Sequence, residues 1–168
     1  SVINTKGDST ILLATKNGLG IRFKEDTLRA SGRNAMGVKA IRLDEDDYII
    51  GAQVLEKGNK ILFVSENGFG KCTEIDEFRI QNRGGKGLRI YKVTNKTGSL
   101  VGICSVSENE EVMIITSEGI IIRLRISDIS TFGRIAQGVK LVSLKDNIKV
   151  VSTAKISEDK INKIDDQE

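Results

Sequence analysis

Gln81-Asn82-Arg83-Gly84-Gly85-Lys86-Gly87 is a short cationic loop set between apolar, β-prone runs, and its outline occurs twice more in the chain. Arg83 and Gly87 match Arg33 and Gly37 fifty residues earlier, and Arg134 and Gly138 fifty-one residues later. In each copy the glycine is followed by an apolar residue and a cation: Val38-Lys39, Leu88-Arg89 and Val139-Lys140. A cation with a glycine four places on is thus the unit of the chain, and a fixed period of this kind is the signature of a repeat architecture.

Working outward, each loop is preceded by the same sequence of events. Ile11-Leu12-Leu13-Ala14-Thr15-Lys16-Asn17-Gly18 aligns with Ile61-Leu62-Phe63-Val64-Ser65-Glu66-Asn67-Gly68 and with Val112-Met113-Ile114-Ile115-Thr116-Ser117-Glu118-Gly119. Asn-Gly closing an apolar run predicts a two-strand hairpin in which both turn residues take positive φ, with Glu118-Gly119 a less favourable version. The strands return along residues 21–23, 71–73 and 120–124. A polar passage then ends in an apolar anchor, Leu28, Phe78 or Ile129, ahead of the cationic loop.

Beyond the loop, residues 38–43, 88–93 and 139–144 predict a third strand, with a bulge where the alternation breaks. A fourth strand follows over 49–55, 100–106 and 150–156. Four short strands in about fifty residues, three times over and with no sustained helical period, predict an all-β array of propeller-like blades. The blade repeats are expected at 8–58, 59–109 and 110–159, with 1–7 the end of a preceding blade and 160–168 an acidic tail. Three blades leave sheet edges open, so the expectation is a piece of a longer chain with a tendency to self-associate through those edges.

Charge is unevenly placed. The net charge is +3, but five acidic residues and two lysines lie from Glu158 onward, leaving a body with 24 basic against 18 acidic residues. A basic body suits a polyanionic partner, and equally an ordinary solvated surface. There is no histidine, which removes Ser-His-Asp and Cys-His chemistry and the usual His-containing metal sites. Cys72 and Cys104 lack CxxC spacing and sit in strand-like runs, which predicts two buried free thiols. No apolar run approaches the roughly 18 residues of a membrane helix, so no membrane partner is expected.

The repeat, the hairpin turns and the loop at 81–87 together resemble the C-terminal DNA-wrapping domain of the DNA gyrase A family. The resemblance covers about residues 8–158. That family's box reads glutamine, basic, arginine, glycine, glycine, basic, glycine; here Asn82 stands at the first basic place. The resemblance implies a β-pinwheel, with this chain about half of a six-bladed disc, its last three blades. It implies that the loop at 81–87 echoes a box lying upstream in the first blade. It also implies a non-catalytic role: duplex DNA wraps a basic rim and so supports negative supercoiling by a type II topoisomerase in the cytoplasm, at the nucleoid. Expected partners are double-stranded DNA, the rest of gyrase A, and gyrase B. No cofactor is expected in this stretch, ATP and magnesium being used by other domains. Two alternatives stand beside it: the equivalent C-terminal domain of topoisomerase IV, and a propeller-type protein-interaction module.

The candidate DNA-binding residues are Arg33, Lys39, Arg83, Lys86, Arg89, Arg134 and Lys140, within or beside the box-like loop Gln81, Asn82, Arg83, Gly84, Gly85, Lys86 and Gly87. Arginine grips a phosphate with parallel hydrogen bonds and lysine acts as a point charge, while glycine lets backbone N–H groups approach. Contacts of this kind hold the backbone and carry little base preference. The plainer reading of Gly37, Gly87 and Gly138 is that they are turn residues. Arg22, Lys24, Arg123 and Arg125, with Lys71 on the comparable strand, either extend the face or stand on a solvated strand. The GxxxxGK[ST] spacing of a P-loop is absent, and Asp44-Glu45-Asp46-Asp47 lacks the glycine and glutamate of a calcium loop, so a solvated turn is expected there.

Overall fold

The computed structural model describes residues 2–56 and 58–156. The first unit supplies β1 (Thr10–Thr15), β2 (Leu19–Lys24) and β3 (Ile49–Leu55). The second supplies β4 (Lys60–Ser65), β5 (Phe69–Glu74), β6 (Leu88–Arg89) and β7 (Leu100–Val106). The third supplies β8 (Glu111–Thr116), β9 (Ile121–Arg125), β10 (Val139–Lys140) and β11 (Val150–Ile156). They form antiparallel sheets in the orders β3-β1-β2-β6, β10-β5-β4-β7 and β11-β8-β9. The expected all-β array of three sheets is present, as are the hairpins and the long fourth strands.

The third strand is where expectation and structure part. It does not join its own unit's sheet. Leu88-Arg89 pairs with Gly20 and Leu19 of the first unit, and Val139-Lys140 pairs with Gly70 and Phe69 of the second. Each completed sheet is therefore finished by a strand from the next unit. The strand is also shorter than the sequence pattern suggests, because the following N–H groups leave the ladder. Those of Ile90 and Tyr91 both donate to the Gly18 carbonyl, and those of Leu141 and Val142 both donate to the Gly68 carbonyl. Residues 38–43 form no strand, and neither do residues 2–6, where the sequence suggests the end of a preceding blade. The expected tail at 160–168 lies outside the described residues.

The turns also differ from the Asn-Gly expectation. Gly18, Gly68 and Gly119 have positive φ, but Asn17, Asn67 and Glu118 do not. Each hairpin is a four-residue turn closed by the glycine N–H on the carbonyl of Thr15, Ser65 or Thr116. The left-handed step is taken only at the glycine, which has no Cβ to oppose it. A buried hydroxyl supports every turn: Leu19 N–H donates to Thr15 Oγ1 (3.1 Å), Ile120 N–H to Thr116 Oγ1 (3.1 Å), and Ser65 Oγ to the Phe69 carbonyl (3.1 Å). The irregularity expected in the third strand falls instead at this corner, between Ala14 and Thr15, Val64 and Ser65, and Val150 and Ser152.

Of three apolar clusters among the described residues, one, with Leu13, Ile21, Phe23 and Ile41, lies within the first unit and two lie between units. Phe63 of the second sheet holds Phe78 (ring centroids 5.9 Å apart) and Tyr91 (6.4 Å), in one cluster with Leu12 and Ala14 of the first. Ile129 is buried among Leu62, Val64 and Cys72 of the second unit and Val112 and Ile114 of the third. The apolar anchors Phe78 and Ile129 thus pin the second and third cationic loops to the sheet before each, whereas Leu28 packs half-buried within the first unit. Cys72 and Cys104 are free and buried, and burial pushes the Cys72 thiol up to about 11. At the opposite edge, β3, β7 and β11 lie against one another. There Gln53 bridges two sheets, its amide donating to the Ile103 carbonyl (3.1 Å) and accepting from the Ser105 N–H (3.1 Å).

Candidate nucleic-acid interface

With β3, β7 and β11 meeting on one side, the exchanged strands β6 and β10 form the far edge of their sheets. Arg89 and Lys140 therefore stand at the same register on successive outer edges, opposite Leu19 and Phe69, and both are exposed. Lys39, their counterpart in the first unit, is exposed but lies on no strand.

The arginines of the loops do not project freely. Arg83 is half-buried and donates through Nε to the Thr27 carbonyl (3.3 Å) and through Nη1 to the Lys39 carbonyl (3.4 Å). Arg134 repeats the second contact one unit later, with Nη1 donating to the Arg89 carbonyl, and its main-chain N–H donates to Glu77 Oε2 (3.3 Å). Each guanidinium thus clamps the backbone of the cation two places past the loop glycine of the previous unit, Lys39 or Arg89, bringing the two cationic rows together at the junction. A guanidinium has five N–H donors and these carbonyls are neutral, so charge and donors remain for an anion. Arg33 is exposed and has no such clamp among the described residues.

Lys86 is well exposed, with Nζ 3.9 Å from Asp44 Oδ1, a pairing that contributes little in water. Gln81 donates its N–H to the Arg22 carbonyl (2.8 Å), and Asn82 is exposed. Gly84 does not offer its N–H outward as expected, because that group donates to the Ala40 carbonyl (2.6 Å). Gly85 accepts from the Arg42 N–H through its carbonyl (2.8 Å). Gly87 and Gly138 have φ of +76° and +77°, and a Cβ on either would run into the carbonyl oxygen of Gly20 or Gly70. They are crossing points between units, beyond their role in a turn. Gly37 has the same φ, +75°, in open space.

Two cations assigned by sequence to the face or to water are instead latches between units. Arg22 Nη1 donates to the carbonyls of Ile75 (3.1 Å) and Phe78 (2.9 Å). Lys71 is 0% exposed; its Nζ donates to the carbonyls of Gly133 (2.8 Å) and Arg134 (2.7 Å) and lies 5.6 Å and 5.7 Å from the Phe63 and Tyr91 ring centroids. Burial pulls its pKa down to about 8. The returning strand of each of these hairpins is covered by the next unit, so its alternation does not lead to solvent. In the third unit Arg123 pairs with Glu111, and Arg125 Nε lies 3.9 Å from Glu111 Oε1. The acidic turn is not wholly solvated either, for buried Asp47 accepts from the N–H groups of Asn17 (2.9 Å) and Tyr48 (3.0 Å).

Against known proteins, the DNA gyrase C-terminal domain, beta-propeller family matches at residues 9–56, 59–107 and 110–157. The chain belongs to this family. Across 166 residues it is 43% identical to the DNA gyrase A protein of Staphylococcus aureus strain MRSA252, covering 98% of this chain and 19% of that protein. It therefore spans about a fifth of the length of this relative. Among solved structures, the C-terminal domain of DNA topoisomerase IV superposes with a TM-score of 0.90 at 25% identity, covering 99% of this chain and 53% of that one. The DNA gyrase A C-terminal domain gives 0.84 at 28% identity, covering 91% and 52%. A gyrase C-terminal domain is thus the frame for the cationic edge. Among the described residues there is no group of His, Cys, Asp and Glu that could hold a metal, and no helix long and apolar enough to cross a membrane.

Proposed function

We propose that this chain is a non-catalytic, DNA-wrapping part of DNA gyrase A, along whose outer edges duplex DNA is bent. The reading is carried by one observation: Arg89 and Lys140 share a register on the outer strands of successive sheets, with Arg134 clamped on the Arg89 carbonyl as Arg83 is on that of Lys39. A duplex following the edges meets Lys39, Lys86, Arg89 and Lys140 as point or forked charges and Arg33, Arg83 and Arg134 beside them. Bending a site costs a few kcal/mol, and counterion release on neutralising phosphates offsets it. Such contacts read the backbone and not the bases, as wrapping requires. In the longer enzyme the partners are the rest of gyrase A and gyrase B, whose other domains use ATP and magnesium; the setting is the cytoplasm, at the nucleoid. The exposed outer edge of β9, with Ile121 60% exposed, is the place for self-association.

The 43% identity to the Staphylococcus aureus DNA gyrase A protein supports the gyrase reading over topoisomerase IV. A protein-interaction module is less well supported, since its cations need share no edge. Titrating a labelled duplex of about three helical turns at several salt concentrations tests the proposal. If about five phosphates are engaged, log K falls against log salt with a slope of about −4.5. A flat salt response, or no binding at low salt, overturns it.

A further inference from the structure

The cationic outer edge leaves unexplained a cleft of about 360 Å³ between the second and third units. Lys96, Lys140, Lys145 and Lys149 line it, and Asp146 is its one carboxylate. Phe69 forms its apolar wall, and the Lys96 ammonium lies 5.4 Å from that ring's centroid. Asn67, at the tip of the β4–β5 hairpin, ties the two sides together. Its amide donates to the carbonyls of Asn95 (3.3 Å) and Lys96 (3.0 Å), and its Oδ1 accepts from Lys149 Nζ. All four lysines are exposed.

The first junction crosses its strands in the same way but carries less of this charge, and its counterpart loop is one residue longer, Gly98 N–H closing on the Thr94 carbonyl where Ile148 N–H closes on that of Lys145. By the repeat period, Asp46 stands for Lys96 and Thr94 for Lys145. Ser99 stands for Lys149, since the Ser99 and Lys149 carbonyls accept the equivalent N–H groups of Glu66 and Ser117. Arg89 is the counterpart of Lys140, and the one lysine of the counterpart loop, Lys96, falls where Asp146 and Asn147 stand. Four ammonium groups against one carboxylate at a single junction suit a phosphate-bearing polyanion, as close like charges repel unless an anion joins them.

We propose that this cleft is a second phosphate-binding site, reached from the outer edge through Lys140, and that it draws the duplex off the edge onto the hairpin-tip face at the second junction. The proposal rests on the DNA reading above for its ligand, but not for the existence of the site. Phosphate sits among Lys96, Lys145 and Lys149, with Lys140 shared between the cleft and the edge.

Two probes separate the claims. In the first, the triple variant Lys96→Gln, Lys145→Gln, Lys149→Gln is compared with wild type for duplex affinity against salt. The substitutions are on exposed side chains, and Gln at 149 keeps a donor for Asn67 Oδ1, so the thermal midpoint should stay close to that of wild type. Affinity should drop about tenfold or more, with the slope shallower by about 2 to 3, close to 0.9 for each lost contact. In the second, tripolyphosphate is titrated and backbone amide resonances of residues 95–97 and 144–149 are followed. Those resonances should shift in wild type and in an edge variant (Lys39→Gln, Lys86→Gln, Arg89→Gln), and stay put in the triple variant. No shift in wild type, or a triple variant whose duplex slope equals that of wild type, overturns the cleft. If wild type binds no duplex, the DNA reading falls and the tripolyphosphate titration alone decides the cleft.

Discussion

The first and second junctions between units share a backbone crossing and differ in their side chains, and the difference separates what builds the array from what adjusts it. Both are crossed by a glycine lying on a glycine, Gly87 on Gly20 and Gly138 on Gly70. Both receive a two-residue strand from the next unit and send two N–H groups to one hairpin carbonyl. The latch, however, is an arginine at one and a lysine at the other, and the two are not at the same position of the strand. Arg22 reaches the carbonyls of Ile75 and Phe78, whereas Lys71 lies one place earlier in the repeat and reaches Gly133 and Arg134. Close backbone approach is the common requirement, and a cation capping the incoming carbonyls is met in whichever way the strand allows.

The strongest way to break that comparison is to add one methyl group. Gly138→Ala and Gly87→Ala each force a side chain into left-handed φ and into a neighbouring carbonyl, so each should cost about 3 to 5 kcal/mol in urea unfolding. Gly37→Ala has the same φ to satisfy but open space around it, and should cost only about 1 kcal/mol. Equal losses at the three positions would mean that conformation alone, and not the crossing, makes the glycine necessary.

The latches differ in how they respond to pH. The folded pKa of Lys71 is about 8, below the roughly 10.4 of an unfolded lysine. Between those values the unfolded chain holds more protons than the folded one, so stability rises with pH across that window. Below about pH 8 both states are protonated and the penalty for burying the charge is present in full. Relative to Lys71→Met, wild type should therefore gain about 3 kcal/mol between pH 8 and 10.5, read by chemical denaturation at each pH. At pH 7, Lys71→Met should still lose about 2 kcal/mol by leaving two carbonyls without their donor. Arg22→Met should show a loss of about 1 to 2 kcal/mol that does not change over the same range. A wild-type-to-Met gap at position 71 that stays level from pH 8 to 10.5 would mean that the ammonium is hydrated after all.

These contrasts also explain which parts of the molecule are legible in the amino-acid sequence. Hairpins and fourth strands are local: an apolar run, a turn glycine and a long apolar strand specify themselves, and residues 49–55, 100–106 and 150–156 match β3, β7 and β11. The destination of Leu88-Arg89 is not local. Its pattern says that it is a strand but is silent about whose hairpin it joins, and Gly20 and Gly70 are the only sign that a neighbour approaches closely. For the same reason the strand pattern points Arg22 and Lys71 toward solvent. The outer-edge cations are visible because they recur, whereas the lysine cleft escapes the repeat because Lys96, Lys145 and Lys149 do not. Its signal is a break in the period, lysine where Asp46, Thr94 and Ser99 stand one unit earlier.

The smallest expected effect tests the hairpin tips. If Asn were needed for a left-handed residue, replacing Glu118 by Asn would improve the third turn. In the structure Glu118, like Asn17 and Asn67, lacks positive φ, and the left-handed step belongs to Gly119. Glu118→Asn should thus change stability by no more than about 0.5 kcal/mol, the range of an ordinary surface substitution. Asn67→Ala should cost about 1 to 2 kcal/mol, because its amide holds the carbonyls of Asn95 and Lys96 in the loop ahead of β7 and its Oδ1 accepts from Lys149 Nζ of the next unit. Asn17→Ala, whose side chain is exposed and whose own main-chain N–H is what Asp47 accepts, should cost about as little as Glu118→Asn. The order Asn67 above Asn17 would locate the role of asparagine in the contacts its side chain makes beyond the hairpin, and the reverse order would return it to the turn.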